Sequence, residues 1–323
     1  MTAPQEQHDQ QQAQHQREQQ KRRRAEDGSG PKRDLEFPPA PEALPFSVYD
    51  NHTHFDIADG DTHVSVSEQL EKAALVGVVG VVQVGTDVAS SVWSAELAAT
   101  QHRVLAAVAI HPNEAPRVEA AGTLDEGLAT IDALAAQPRV RAVGETGLDF
   151  FRTGEEGRAA QHASFEAHIE IAKRHDIALQ IHDRDAHDEV LATLRRVGAP
   201  HKTVLHCFSG DADFARTAAG HGWYLSFAGT VTFKNNHHLR EALAVIPRDR
   251  ILVETDAPFL TPMPFRGRPN ASYMVPYTVR AMAEFLETDL GDLCARLTEN
   301  TEAVYGSWAD DILPAGSEHE ATS

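Results

Sequence analysis

The chain is short of the features that mark several protein classes. Only two cysteines, Cys207 and Cys294, occur in 323 residues, too few for a disulfide framework and in keeping with a reducing cytoplasm. No run of ~18 apolar residues is present, so no membrane-spanning helix is expected. The amino-terminal segment lacks the apolar stretch of a secretory signal. There is no Gly-x-x-x-x-Gly-Lys-Ser/Thr run, and no strand-like run leads into Gly-x-Gly-x-x-Gly, so nucleotide-driven and nicotinamide chemistry have no support. Positive charge is scarce: 29 Lys and Arg stand against 48 Asp and Glu, a formal charge of −19. That balance argues against a long basic groove for duplex DNA. It leaves room for a pocket holding a few phosphates, because bound metal ions supply local positive charge.

What is present is a globular mix, 41% hydrophobic and 24% charged, able to bury a large core. The length suits two average domains, or one α/β barrel of about 250 residues with tails. Residues 1–44 stand apart. Gln5 to Gln20 is glutamine-rich, Lys21-Arg22-Arg23-Arg24 is basic, and prolines crowd Pro38 to Pro45. Such a segment has little to bury and is expected to be disordered, and its charge block reads as a solvated tail. From about Trp308 to residue 323 the chain turns acidic and small, a second tail. Between them, over 45–307, short β-branched runs alternate with helical-length segments of 3.6 periodicity, such as Ser67–Val76, Arg158–His175 and His187–Val197. The strand candidates are Val48–Phe55, Val78–Gly85, Val104–Ile110, Val140–Gly144, Ala178–His182, Thr203–Cys207, Trp223–Ala228 and Ile251–Glu254. Alternation implies parallel pairing. Eight units predict a single α/β domain, a (β/α)8 TIM barrel, rather than an open doubly wound sheet.

Six of the eight runs end in His, Asp or Glu, at Asp50-Asn51-His52-Thr53-His54, His111-Pro112, Gly144-Glu145, His182-Asp183-Arg184, His206-Cys207 and Glu254-Thr255-Asp256. In a barrel these ends converge on one face, and charged groups gathered there call for pairing or a metal. His52 and His54, two apart, share a strand face and can bind one metal together. Glu145 can bridge two metals, or merely cap its turn. His182 and His206 can complete a second site, and Asp256 can hold a water and take its proton. His111 either touches substrate or only structures its loop. Of the basic residues after strand ends, Arg152, Arg184, Lys234, Arg266 and Arg268 can grip phosphate oxygens, or serve as surface charges. Strand alternation should turn the Cys207 thiol away, into the layer between barrel and helices, as a buried structural group.

Together these motifs resemble the TatD family of metal-dependent deoxyribonucleases, among the amidohydrolase-like barrels. The resemblance runs from about Val48 to Gly306. Besides the strand-end motifs it includes Gly144-Glu145-Thr146-Gly147-Leu148-Asp149, Gln161 with Phe165, His206-Cys207-Phe208-Ser209-Gly210, Glu254-Thr255-Asp256-Ala257-Pro258 and Arg266-Gly267-Arg268-x-Asn270. It implies that His52 and His54 bind one metal completed by Asp256, and that Glu145 bridges to a second held by His182 and His206. Catalysis would fall to Asp256 and Glu145, and substrate contact to His111, Arg152, Arg184, Lys234 and Arg266. The implied cofactors are two divalent ions per chain, Mg²⁺ or Mn²⁺, with Zn²⁺ also compatible with four imidazoles.

The expected activity is phosphodiester hydrolysis, with single-stranded DNA ends as substrate, by a cytoplasmic monomer with no membrane partner. A competing expectation is ester or amide hydrolysis on the same site, as by a D-aminoacyl-tRNA deacylase. A non-catalytic nucleic-acid scaffold would have no need of six intact ligand positions.

Overall fold

A computed structural model of the chain describes residues 34–59 and 64–309. The eight strands are β1 Val48–Thr53, β2 Val78–Val84, β3 Val104–Val108, β4 Val140–Asp149, β5 Ala178–Arg184, β6 Thr203–Leu205, β7 Tyr224–Phe227 and β8 Ile251–Val253. They pair in parallel in sequence order, the (β/α)8 barrel expected from the alternation. Between β8 and β1 the barrel is joined just past the strands: Thr53 bridges Ala257, the amide of Asp256 donates to His52 O (2.9 Å), and that of His54 donates to Ala257 O (2.8 Å).

The connecting helices are α1 Val66–Leu75, α2 Val88–Thr100, α3 Ala115–Ala120, α4 Leu124–Ala135, α5 Glu155–His175, α6 His187–Val197, α7 Ala212–Gly220, α8 His237–Val245, α9 Val275–Phe285 and α10 Leu290–Tyr305. Several lay an apolar stripe on the sheet, as Val190 and Leu194 do on α6. Two buried clusters follow from the period-2 alternation of the strands. One lies between strands and helices and contains Val81, Val108, Phe165 and Leu179. The other gathers the alternate positions Val82, Val84, Leu105, Ala107 and Leu252, closed off by Tyr305 and Trp308.

β4 runs past the predicted end at Gly144, through Asp149. Its register slips between Val143 and Thr146, after which Gly147 pairs with His182 and Asp149 with Arg184. Gly147 makes this approach possible. Its φ is +136°, and a Cβ there would lie 2.1 Å from His182 O, so only glycine fits.

Two expected boundaries move. Residues 34–44 were assigned to the tail, yet they lie along the barrel. Leu44 is buried, and its amide donates to Val76 O (3.1 Å). Arg268 Nε donates to Glu36 O (2.8 Å), Tyr273 Oη to Pro38 O (2.6 Å) and Arg280 to Ala43 O (3.1 Å). An extended proline-rich stretch offers unpaired carbonyls, and these donors take them up. At the other end Trp308 belongs to the fold: it stacks on Tyr49 at 4.1 Å and its indole N–H points to Val81 O (3.3 Å). The glutamine-rich and basic runs and residues 310–323 lie outside the described residues.

Candidate metal centre

Glu145 stands at the middle of the cluster of strand ends, and its two oxygens face different imidazoles. Oε2 lies 3.5 Å from His52 Nε2 and 3.7 Å from His54 Nε2. Oε1 lies 2.6 Å from His182 Nδ1, 2.8 Å from His206 Nε2 and 3.3 Å from His111 Nε2. The Nε2 atoms of His52 and His54 meet at 3.1 Å, as their shared strand face requires. Asp256, in a left-handed turn just after β8, completes this first group, with Oδ1 3.5 Å from His54 Nε2 and 3.9 Å from His52 Nε2.

The outward ring nitrogens decide which inward atoms are free to bind a cation. His54 Nδ1 lies 2.9 Å from Val84 O. A carbonyl only accepts, so Nδ1 carries the proton and neutral His54 turns a lone pair inward. His182 Nε2 faces Asp149 Oδ2 and His206 Nδ1 faces Glu254 Oε1, both at 3.2 Å. Burial opposes charge on Asp149, but His182, the Arg152 amide and Asn113 outweigh it and hold its pKa well below the usual carboxylate range. Carboxylates behind both rings take the outward protons, which turns inward lone pairs and raises ligand basicity. His111 is set the other way. The amide of Asn113 donates to its Nδ1 (3.0 Å), so the proton sits on Nε2 and points at Glu145. Donor atoms of His111, Glu145 and His182 lie within 4.8 Å of one another, yet this tautomer makes His111 a hydrogen-bond donor rather than a ligand.

The electrostatics are those of a set waiting for positive charge. Burial opposes ionisation of Glu145, but His206, His111 and His182 hold its pKa well below normal. Burial likewise disfavours protonated His206 and His54. Glu145 and Glu254 overcome it at His206, raising the pKa well above normal, and Asp256 and Glu145 overcome it at His54, raising it to about 9. His52, buried and beside His206, is pushed down to about 4. Imidazoles and carboxylates at hydrogen-bond distance in a buried pocket share protons that divalent cations replace. The inward donor set of His52, His54, Glu145, His182, His206 and Asp256 therefore fits metal ions.

Among the basic residues, Arg152 lies three residues beyond Asp149 and Arg184 two beyond His182, and the Arg184 guanidinium lies 3.9 Å over the Phe151 ring. Arg266 and Lys234 are farther round the barrel, in the loops after β8 and β7, with Arg266 4.4 Å over Phe233. Neither has a side-chain contact with the histidine cluster among the described residues. Arg268 holds the carbonyls of Glu36 and Phe37 (2.8 and 3.2 Å) rather than substrate. Cys207 is placed differently from expectation. β6 ends at Leu205 and Cys207 has φ +41°, so strand alternation no longer sets its direction. Its amide donates to Glu254 Oε1 (2.7 Å), the residue is partly exposed rather than packed in the core, and burial of the thiol, then the carboxylates of Asp256, Glu254 and Glu145, raise its pKa well above normal.

A profile of the TatD related DNase family matches residues 49–306. The chain belongs to the TatD family. It is 44% identical over 263 residues to the uncharacterized metal-dependent hydrolase TatD of Mycobacterium tuberculosis, covering 80% of this chain and 98% of that one. It is 35% identical over 259 residues to the uncharacterized metal-dependent hydrolase YabD of Bacillus subtilis, with the same coverage of 80% and 98%. The solved structure of the TatD homologue YJJV from Escherichia coli superposes with a TM-score of 0.72 at 26% identity, over 80% of this chain and 98% of that one. Like its relatives, this TatD-family chain is a metal-dependent hydrolase.

Sequence reasoning did not single out the residues behind the histidines of this TatD site. Asp149 and Glu254 were read only as parts of motifs. His168 on α5 was missed. Its Nε2 accepts the Ile110 amide (3.2 Å), and its Nδ1 donates to Ser164 O (2.7 Å) and lies 3.0 Å from Thr146 Oγ1. It thus braces the neighbours of both His111 and Glu145. Gln161, two turns earlier, accepts the Asp149 amide (3.1 Å) and donates to Pro112 O (3.0 Å). Period-3.6 spacing puts both on the buried face of α5, and Gln161 also belongs to the motifs that carry the family resemblance.

Proposed function

We propose that this hydrolase cleaves phosphodiester bonds in single-stranded DNA, as a cytoplasmic monomer with two divalent ions per chain. The observation that carries the reading is Glu145, whose two oxygens each face a separate group of imidazoles. His52, His54 and Asp256 would hold one ion, His182 and His206 the other, with Glu145 shared. Mg²⁺ or Mn²⁺ suits the carboxylates, and Zn²⁺ suits the imidazoles. When bound, such ions supply Lewis acidity and make a water easier to deprotonate.

The protein's own groups divide the remaining work. Asp256 is the most open of the carboxylates at the ligand positions, its side chain 15% exposed against 6% for Glu145, and it accepts the proton of the attacking water. His111, with its proton fixed on Nε2, donates a hydrogen bond to a phosphate oxygen. Arg184 and Arg152 flank the same side and position the phosphate, with Lys234 and Arg266 farther along the strand. Cations confined to the mouth of a chain with a formal charge of −19 fit a few phosphates of a single strand better than a duplex.

The test is digestion of end-labelled single-stranded DNA by metal-stripped protein, with Mg²⁺, Mn²⁺ or Zn²⁺ restored, beside Glu145→Ala. Metal-dependent cleavage that the variant loses supports the reading. Folded, metal-loaded protein that leaves DNA intact but hydrolyses a D-aminoacyl ester would overturn it.

A further inference from the structure

We propose that Phe151 is a stacking platform for a nucleobase of the bound strand, with Arg184 fixed beneath it to take the adjoining phosphate. The inference rests on the single-strand reading above and adds how the strand is recognised. Phe46, Leu75, Phe151 and Phe285 are the large hydrophobic side chains exposed among the described residues. Phe46 lies beside Gly291 and Phe285 beneath Arg240, and Leu75 ends α1. Phe151, 62% exposed, alone among them follows a strand that ends at the histidine cluster, two residues beyond Asp149.

Its surroundings are held rather than loose. The Phe150 amide donates to Arg184 O (2.9 Å), tying the loop to β5, and the Arg152 amide donates to Asp149 Oδ1 (2.8 Å). Phe150 turns inward beneath Arg158, whose guanidinium lies 4.0 Å from its ring, which leaves its neighbour Phe151 turned outward. Arg184 covers one face of the Phe151 ring at 3.9 Å and has no hydrogen bond or carboxylate partner for its guanidinium among the described residues. A guanidinium lying flat on a ring keeps its N–H edges in plane and free for phosphate. A phenyl ring carries no hydrogen-bonding group, so the surface it offers a base accepts any base. Flat base and adjacent phosphate are the two repeating parts of a single strand, and this pair of side chains presents a partner for each beside the metal centre.

Hydrolysis of a thymidine trinucleotide and of an abasic trinucleotide of equal length, by the full-length Mn²⁺-loaded protein, tests this. Wild type should prefer the base-bearing substrate through KM. Phe151→Ala and Phe151→Leu should each lose about tenfold of that preference, as expected for one stacked base, while Phe151→Trp keeps it. A trinucleotide carrying 2-aminopurine should be quenched on binding wild type and Phe151→Trp, and less by the other two. A preference unchanged in Phe151→Ala, or a loss that falls equally on both substrates, overturns the platform while the nuclease reading stands. Failure of wild type to hydrolyse either substrate overturns both.

Discussion

The two sides of Glu145 are built differently. On the Oε2 side, His52 and His54 come from the end of one strand and are almost wholly buried (0% and 2% exposed), and His54 takes its orientation from the main chain, through Val84 O. On the Oε1 side, His111, His182 and His206 come from three strands. His182 and His111 remain 17% and 14% exposed, and carboxylates stand behind His182 and His206. The first side is nearly given by two residues of local sequence. The second exists only when β3 to β6 and the loop after β8 are in place, and it needs Asp149 and Glu254 to set its rings. An ion on the closed side should exchange slowly, and one on the open side, next to Arg184 and Phe151, should meet the substrate.

The largest effect should come from removing what both sides share. Glu145→Gln is expected to lower kcat more than ~100-fold, beyond the usual loss for an outer partner, and to weaken both metals in titration calorimetry. Weakening of only one metal would mean that the carboxylate serves a single side. Next, Asp149→Asn and Glu254→Gln should each weaken one metal by about 10–100-fold, leaving the other in place when metal content is measured after dialysis. Loss of both metals together would erase the distinction between the sides.

A smaller effect concerns the brace behind them. His168 is buried and held neutral, its pKa lowered by burial from 6.5 to about 4. The unfolded chain therefore takes up a proton between those values that the folded chain refuses. The stabilisation is full above about pH 6.5 and is lost as pH falls toward 4, roughly 2 kcal/mol by pH 5. Urea unfolding between pH 7.5 and 5 should show this slope, and His168→Gln, which keeps a donor and an acceptor, should flatten it. An identical slope in the variant would assign the acid sensitivity elsewhere.

The barrel was legible in the sequence because short apolar runs, most of them with β-branched residues, alternate with segments of helical period, as Ala178–Arg184 does with His187–Val197. The clustering of His52, Glu145, His206 and Asp256 followed from one rule, that parallel strands end together. The extension of β4 to Asp149 was not legible, because Gly144 and Gly147 read as a break, whereas they admit the close backbone of β5. Nor was the direction of Cys207, since alternation holds only while the strand lasts. Residues 34–44 looked like a tail by composition, and nothing local reports that Arg268, Tyr273 and Arg280 would claim their carbonyls. His168 looked like an ordinary polar position in a long helix, and Gln161 entered only through the family resemblance, with no role. Their partners lie 58 and 49 residues away in sequence, which periodicity does not register.

The join between β1 and β8 is made by the peptide groups of His52, His54, Asp256 and Ala257. The residues that shut the cylinder are thus the same ones that present the first group of donors. Each amide that zips this edge sets the height of an imidazole or a carboxylate above the barrel floor. Breathing of the edge and opening of the coordination sphere are then a single motion, and a cation seated there acts as a rivet through the last seam of the fold.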